Sequence, residues 1–185
     1  MAESIARLEP DLTISCAELR EPDSPIMTKT ATTPGLDVQI VIKAPITIVL
    51  RAFFDGAALH AWWQVVRSVT TPVAFGVYAI EWATTPYRDD VLGPLGGVFH
   101  GTIVDIRPGQ QFLAAECWWI PPEGQPLGPM ALQVTCQAEA HGCRLRVRQD
   151  GYEPSPRWRR YYAIVSRGWQ ISLAALKRYA ESAGR

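Results

Sequence analysis

The chain has 185 residues, and lysine plus arginine equals aspartate plus glutamate at 18 each, so its formal net charge is zero. Apolar residues make up 48% and charged residues 19%, which excludes a disordered chain. The neutral balance argues against a nucleic acid or an anionic membrane as a partner held by bulk charge. The chain has no signal-peptide core and no apolar run near the length of a membrane span, so a cytoplasmic protein is expected.

The pattern predicts an N-terminal extension over residues 1–34, flexible or draped, and one domain over 35–185. The extension is rich in turn formers and has no clear periodicity. A β-branched strand is predicted over 38–42, followed by a short helix over 46–54 and a second over 56–63, which Asp55 is placed to cap.

Short extended runs separated by turn residues come next, and one long helix ends the chain. The runs predict six strands, and the helix, over 155–182, carries an apolar stripe at three-and-four spacing. Hairpin-connected strands favour an antiparallel sheet, against which the helix must bury its stripe. The predicted class is therefore α+β, with strands over 67–71, 77–82, 98–106, 111–119, 131–140 and 143–149.

The last two strands allow a prediction of register. A two-residue turn at His141 and Gly142 places the apolar residues of both strands on one face and the charged residues on the other. The same turn places Cys136 four residues along the ladder from Cys143, roughly 13 Å at the rise of a strand. That distance excludes a disulfide between them.

Three stretches in the right order resemble the START-like helix-grip (SRPBCC) superfamily, in the branch named for the activator of Hsp90 ATPase. They are residues 42–63, the segment 101–108 with Asp105 where the branch usually has Glu, and the final-helix pair Gly168–Trp169. The resemblance implies a curved antiparallel sheet of about six to seven strands wrapped around a long C-terminal helix, with two short helices after the first strand. It also implies a cavity between the sheet and the helix.

The resemblance leaves three functions open. The first is binding of a small apolar or aromatic molecule in the cavity. The second is an enzyme like the cyclase and aromatase relatives, and the third is an interaction module like the Hsp90 activator itself. The sequence leaves open whether a reaction is catalysed and whether the chain forms a homodimer.

Aromatic side chains are the main candidates to line that cavity, because rigid rings with polar tips are typical of small-molecule sites. Each ring has a competing interpretation as ordinary core packing. The predicted ligand-binding residues are Trp62, Trp63, Tyr78, Trp82, His100, Trp118, Tyr162 and Trp169.

Two residues are candidates for general acid–base catalysis. His100 faces the cavity if the even-numbered side of its strand points inward. If the odd-numbered side of that strand points inward, Glu116 on the next strand faces the cavity instead. A buried carboxyl would have a raised pKa suited to proton transfer. The spacing of histidines and cysteines matches no metal site, and no motif for a cofactor is present, so neither is predicted.

Three further features lie outside this pattern. Residues 84–95 and 121–129 are long connections that either border the cavity mouth or form ordinary surface loops. Arg157, Arg159 and Arg160 give the start of the last helix a basic character that opposes the helix dipole. They either meet an acidic ligand or partner or form a solvated face.

Overall fold

The computed structural model describes residues 35–151 and 153–184, and the extension predicted over 1–34 lies outside these residues. Its elements, in chain order, are β1 (Leu36–Ile42), α1 (Ile46–Arg51), α2 (Gly56–Trp63), β2 (Val65–Thr70), β3 (Val77–Trp82), β4 (Arg88–Asp89), β5 (Gly93–Pro94), β6 (Gly97–Arg107), β7 (Gln111–Ile120), β8 (Leu127–Glu139), β9 (Gly142–Asp150) and α3 (Pro156–Ala183).

Seven of these strands form one curved antiparallel sheet in the order β1-β9-β8-β7-β6-β3-β2. The short strands β4 and β5 pair only with each other. Strand β1 therefore joins the far edge, next to β9, and α1 and α2 cross from that edge to β2 at the other. The predicted helix-grip fold is confirmed.

The helix ends follow from their capping residues. Asp55 accepts a hydrogen bond from the Ala58 amide at 3.0 Å and begins α2 as predicted. Ser155 accepts one from the Trp158 amide at 3.3 Å and begins α3, with Pro156 at its first position.

The apolar stripe of α3 is buried against the sheet and α2, as the spacing predicts. Its members bring four aromatic rings into the interior, and Val165 at the margin is half-buried. The buried residues of α3 are Trp158, Tyr161, Tyr162, Trp169, Leu173, Leu176 and Ala180.

The β8–β9 hairpin corrects one sequence prediction. Cys136 lies opposite Leu145 and Cys143 opposite Ala138, so the register is shifted by two residues from the predicted one. A shift of two preserves which face each side chain occupies, so the predicted apolar face is kept. The two cysteines are therefore two residues apart along the ladder, and both are free and buried. The predicted separation was too large.

A β-bulge in β7 decides which side chains face the interior. Thr102 pairs with Ala115 and His100 with Trp118, so two β7 residues stand opposite the single Gly101. A Cβ at Gly101 would lie 2.5 Å from the Cys117 Sγ, so this position requires glycine. The bulge reverses the inward parity of β7, and the buried residues change from Phe112 and Ala114 before it to Cys117 and Trp119 after it.

Candidate functional site

A cavity of about 530 Å³ lies between α3, the C-terminal end of α2 and the inner face of the sheet. Its volume is in the range typical of small-molecule sites. Among the described residues that border it, none carries a charge. They are Trp63, Gln64, Trp82, Ala83, Thr84, Thr85, Pro86, Leu92, Leu95, Gly96, Phe99, Trp119, Leu132, Gln149, Tyr161, Ile164, Val165, Gly168, Trp169 and Ser172.

Tryptophan rings form much of the wall. The Trp63 ring lies 5.2 Å from that of Trp82 and 4.8 Å from that of Trp169, and it stacks at 4.7 Å on Trp62 behind it. The indole N–H of Trp82 donates to the Trp63 carbonyl at 2.9 Å, and that of Trp119 to the Gly96 carbonyl at 2.8 Å. Because backbone oxygens satisfy these two donors, the rings present apolar surface to the cavity.

One polar cluster interrupts the apolar wall. Gln149 is 2% exposed, and its Nε2 donates to the Tyr161 hydroxyl at 2.8 Å and to the Met130 sulfur at 3.0 Å. Its Oε1 accepts from the Trp169 indole N–H at 3.4 Å. Burial raises the pKa of Tyr161, which keeps its hydroxyl protonated.

Residues 84–95, here called the cover hairpin, border the cavity through one end and the buried Leu92. Strands β4 and β5 form its tip, and the Thr85 amide closes its base on the Leu95 carbonyl at 2.9 Å. The segment therefore borders the cavity mouth, which is the first of the two interpretations that its sequence allows.

Asp89 attaches the cover hairpin to α3. Its carboxylate is almost fully buried and lies 2.6 Å from the Arg160 guanidinium. Its other oxygen accepts from the Val91 and Leu92 amides, each at 3.0 Å. The Arg160 hydrogen bond and these two amides hold the pKa of Asp89 below its ordinary value.

The loop over 121–129 contacts the cover hairpin and α3 without lining the cavity. Glu123 pairs with Arg88 of the hairpin at 2.9 Å. Arg157 donates to the carbonyls of Gln125 and Pro126. Two of the three arginines at the start of α3, Arg157 and Arg160, therefore hold loops of their own chain.

The model of the family described as activator of Hsp90 ATPase homolog 1-like protein matches residues 43–181. The chain belongs to this family. The resemblance drawn from three sequence stretches is thereby confirmed. A search of the curated proteins found no match.

Solved structures share the fold of this activator-of-Hsp90-ATPase-homolog-1-like chain. A protein from Rhizobium leguminosarum is 20% identical with a TM-score of 0.62, covering 80% of this chain and 95% of its own. One from Chromobacterium violaceum is 23% identical with a TM-score of 0.58, covering 80% and 96%. The Aha1 dimer from Colwellia psychrerythraea, solved in solution, is 14% identical with a TM-score of 0.58, covering 80% and 97%. These similarities show the fold alone.

Three of the eight predicted ligand-binding residues line the cavity of this family member, namely Trp63, Trp82 and Trp169. Trp62 lies behind Trp63, with its indole N–H bonded to the Ala52 carbonyl at 2.9 Å. The other four, Tyr78, His100, Trp118 and Tyr162, do not line it.

His100 and Trp118 fall on the outer side of the sheet and are half-exposed, because Phe99 and Trp119 occupy the inward positions beside them. Tyr78 is fully buried between Phe54 and Phe112, and the Tyr162 hydroxyl donates to the Gly151 carbonyl at 2.6 Å.

Both candidates for acid–base catalysis lie outside the cavity, which corrects the expectation that one of them faces it. The inward side of β6 is the odd-numbered one, with Phe99 and Ile103, so His100 points away. That parity would favour Glu116, but the bulge turns it to the exposed side with a φ of 50°.

Sequence reasoning missed Gln149 and Tyr161 as cavity residues. A signal for Gln149 was present, since it continues the inward alternation of Cys143, Leu145 and Val147 on β9. A polar residue at an inward position of an apolar strand face indicates a buried hydrogen-bond network.

In the described part of the chain, no group of histidine, cysteine and carboxylate side chains is arranged to hold a metal ion. Over the same residues, no helix has the length and apolar character needed to cross a membrane.

Proposed function

We propose that this protein binds a small, uncharged, largely apolar molecule with a ring system in the cavity between its sheet and α3. The observation that carries the proposal is the composition of the wall, in which four tryptophans border a space of about 530 Å³. Flat rings that meet near right angles favour a flat ligand, which stacks on one face and meets the edge of the next.

Because the described lining residues carry no charge, we expect the ligand to be uncharged. Burying an ionised group without a countercharge is strongly unfavourable, so a carboxylate or an amine would leave its charge unpaired here. Two threonines and Gln64 lie at the exposed mouth, where they contact whatever part of the ligand reaches solvent.

Binding without catalysis is favoured over the cyclase-like alternative by the same composition. A general acid or base must reach the proton it moves, and His100 and Glu116 lie outside the cavity. The described lining supplies amide, hydroxyl and indole groups, which bind and orient a ligand. The homodimer left open by the sequence stays a prediction, to be checked by analytical ultracentrifugation.

The test uses two probes of one shape that differ in charge, fluorene and fluorene-9-carboxylate. Titration calorimetry on the full chain should show binding of fluorene and no measurable binding of the carboxylate. Any small molecule that native mass spectrometry detects on the freshly purified protein should be neutral and aromatic. Preference for the carboxylate, or no binding of fluorene, would refute the proposal.

A matched pair of variants locates the binding in the cavity. Gly168 of α3 borders the cavity. Ala163 is an exposed residue of the same helix, and it does not border the cavity. Gly168→Leu should abolish fluorene binding and Ala163→Leu should leave it unchanged. Equal effects of the two changes would place the binding elsewhere.

A further inference from the structure

The buried cluster of Gln149, Tyr161 and Trp169 fixes the direction of its hydrogen bonds. An indole N–H only donates, so the side-chain atom of Gln149 that faces Trp169 Nε1 must be the amide oxygen. The amide nitrogen of Gln149 is then the atom that faces the Tyr161 hydroxyl at 2.8 Å. Because that nitrogen only donates, the Tyr161 oxygen accepts in this bond.

The hydrogen of the Tyr161 hydroxyl is therefore directed away from Gln149. Within the described residues, the Tyr161 hydroxyl accepts this one hydrogen bond and donates none. Tyr161 is 4% exposed, and both it and Gln149 border the cavity. A buried hydroxyl donor without an acceptor costs free energy, which a ligand group in the cavity can recover.

We infer that Tyr161 is a specificity-determining residue, whose hydroxyl donates a hydrogen bond to a carbonyl oxygen on an otherwise apolar ring-containing ligand. The inference rests on the proposed function and narrows its ligand class to aromatic ketones and related neutral carbonyl compounds. Gln149 and Trp169 are positioning residues, since they hold the tyrosine oxygen as an acceptor and so direct its hydrogen to the cavity.

The neighbouring tyrosine supplies an internal control. Tyr162 carries the same hydroxyl on the same helix, but it donates to the Gly151 carbonyl at 2.6 Å and does not border the cavity. Changing either tyrosine to phenylalanine removes one oxygen atom and leaves the ring. A cavity role predicts that the two changes have different effects on ligand selectivity.

The deciding experiment compares fluorene with 9-fluorenone, which has the same tricyclic shape and adds one carbonyl oxygen. The unmodified protein should bind fluorenone about tenfold more tightly than fluorene, as expected for one buried hydrogen bond that is otherwise unmade. Tyr161→Phe should bind both probes with equal affinity, whereas Tyr162→Phe should keep the preference for fluorenone.

A second measurement, by infrared spectroscopy, uses the unmodified protein, so its result does not depend on whether a variant folds. The carbonyl stretch of bound fluorenone should move to lower wavenumber than in a hydrocarbon solvent, because a donated hydrogen bond weakens the C=O bond. Equal affinity for both probes with an unshifted stretch would overturn the role of Tyr161 while the apolar site stands. Failure to bind either probe would overturn the proposed function and this inference together.

Discussion

Asp89 and Arg160 are 71 residues apart in the chain, and their side chains form an ion pair with an oxygen–nitrogen distance of 2.6 Å. The carboxylate is almost completely buried, whereas the arginine keeps 43% of its side-chain surface exposed. This pair joins the cover hairpin, which borders the cavity, to α3.

Removing the charge of Arg160 should loosen the cover hairpin. Arg160→Met keeps an unbranched apolar stem but removes the guanidinium, so the Asp89 carboxylate stays buried without its countercharge, which is unfavourable. We expect faster backbone hydrogen exchange over 84–95 and faster release of bound fluorene, with exchange in the strands β8 and β9 unchanged.

The adjacent Arg159 is exposed and serves as the control for this change. Arg159→Met should leave both the exchange over 84–95 and the release rate as they are in the unmodified protein. If Arg160→Met also leaves them unchanged, the ion pair does not hold the hairpin.

The same pair predicts weaker ligand binding in acid. Its hydrogen bonds lower the pKa of Asp89, so its stabilising contribution is fully present above the unfolded pKa of about 3.9. The contribution is lost as the pH falls through the lower pKa of the folded state. Fluorene affinity should therefore fall below pH ~4, and Asp89→Asn should show weak, pH-independent binding across that range.

Asp37 is the control for acid effects unrelated to the cavity. Arg146 likewise lowers its pKa, but Asp37 lies on β1 and does not border the cavity. Asp37→Asn should keep the acid-dependent loss of affinity. A variant series in which both substitutions behave alike would assign the pH dependence to the stability of the whole fold.

Replacing Gly168 with alanine should stabilise the fold and weaken ligand binding. A Cβ added there meets no atom within 4 Å, and glycine within a helix costs about 0.5–1 kcal/mol relative to alanine. Gly168→Ala should therefore raise the free energy of unfolding by about that amount in urea melts. It should weaken fluorene binding at the same time; unchanged affinity would show that this point of α3 does not touch the ligand.

The two stacked tryptophans should separate packing from binding. Trp62 is 2% exposed and bonds to the Ala52 carbonyl, so Trp62→Phe should cost about 1–3 kcal/mol in unfolding free energy. Trp63 borders the cavity, and Trp63→Phe should mainly lower fluorene affinity. Denaturant melts and calorimetry on both variants measure the two effects, and a reversed order would make Trp63 the packing residue.

Tyr78 should tolerate loss of its hydroxyl. Its ring is fully buried, and in the described part of the protein its hydroxyl oxygen has no hydrogen-bond partner. Burying an unpaired hydroxyl is unfavourable, so Tyr78→Phe should raise the free energy of unfolding by about 1 kcal/mol. Destabilisation by a similar amount would show that the hydroxyl has a partner in solution.

The order of elements and the faces of most strands were predictable because side-chain periodicity depends on local geometry. The apolar faces predicted for β8 and β9 are correct despite a two-residue error in register, since strand faces repeat every two residues. The predicted distance between Cys136 and Cys143 is wrong, because distances along a ladder depend on the register itself.

The candidate site was less predictable because one extra residue in β7 changes which side chains face inward. Without the bulge opposite Gly101, the parity that buries Phe112 and Ala114 would bury Glu116 and Trp118 as well. Strict alternation carries no sign of such an insertion. The attachment of the cover hairpin was equally hidden, because it joins Asp89 to a residue on a distant helix.

The tryptophan wall gives the protein an internal optical reporter. Four of its seven tryptophans border the cavity, so an absorbing ligand there lies within energy-transfer distance of most of the emitting rings. Intrinsic fluorescence should therefore follow occupancy directly, without a label. Small-molecule collections can then be screened on the unmodified chain before any candidate ligand is known.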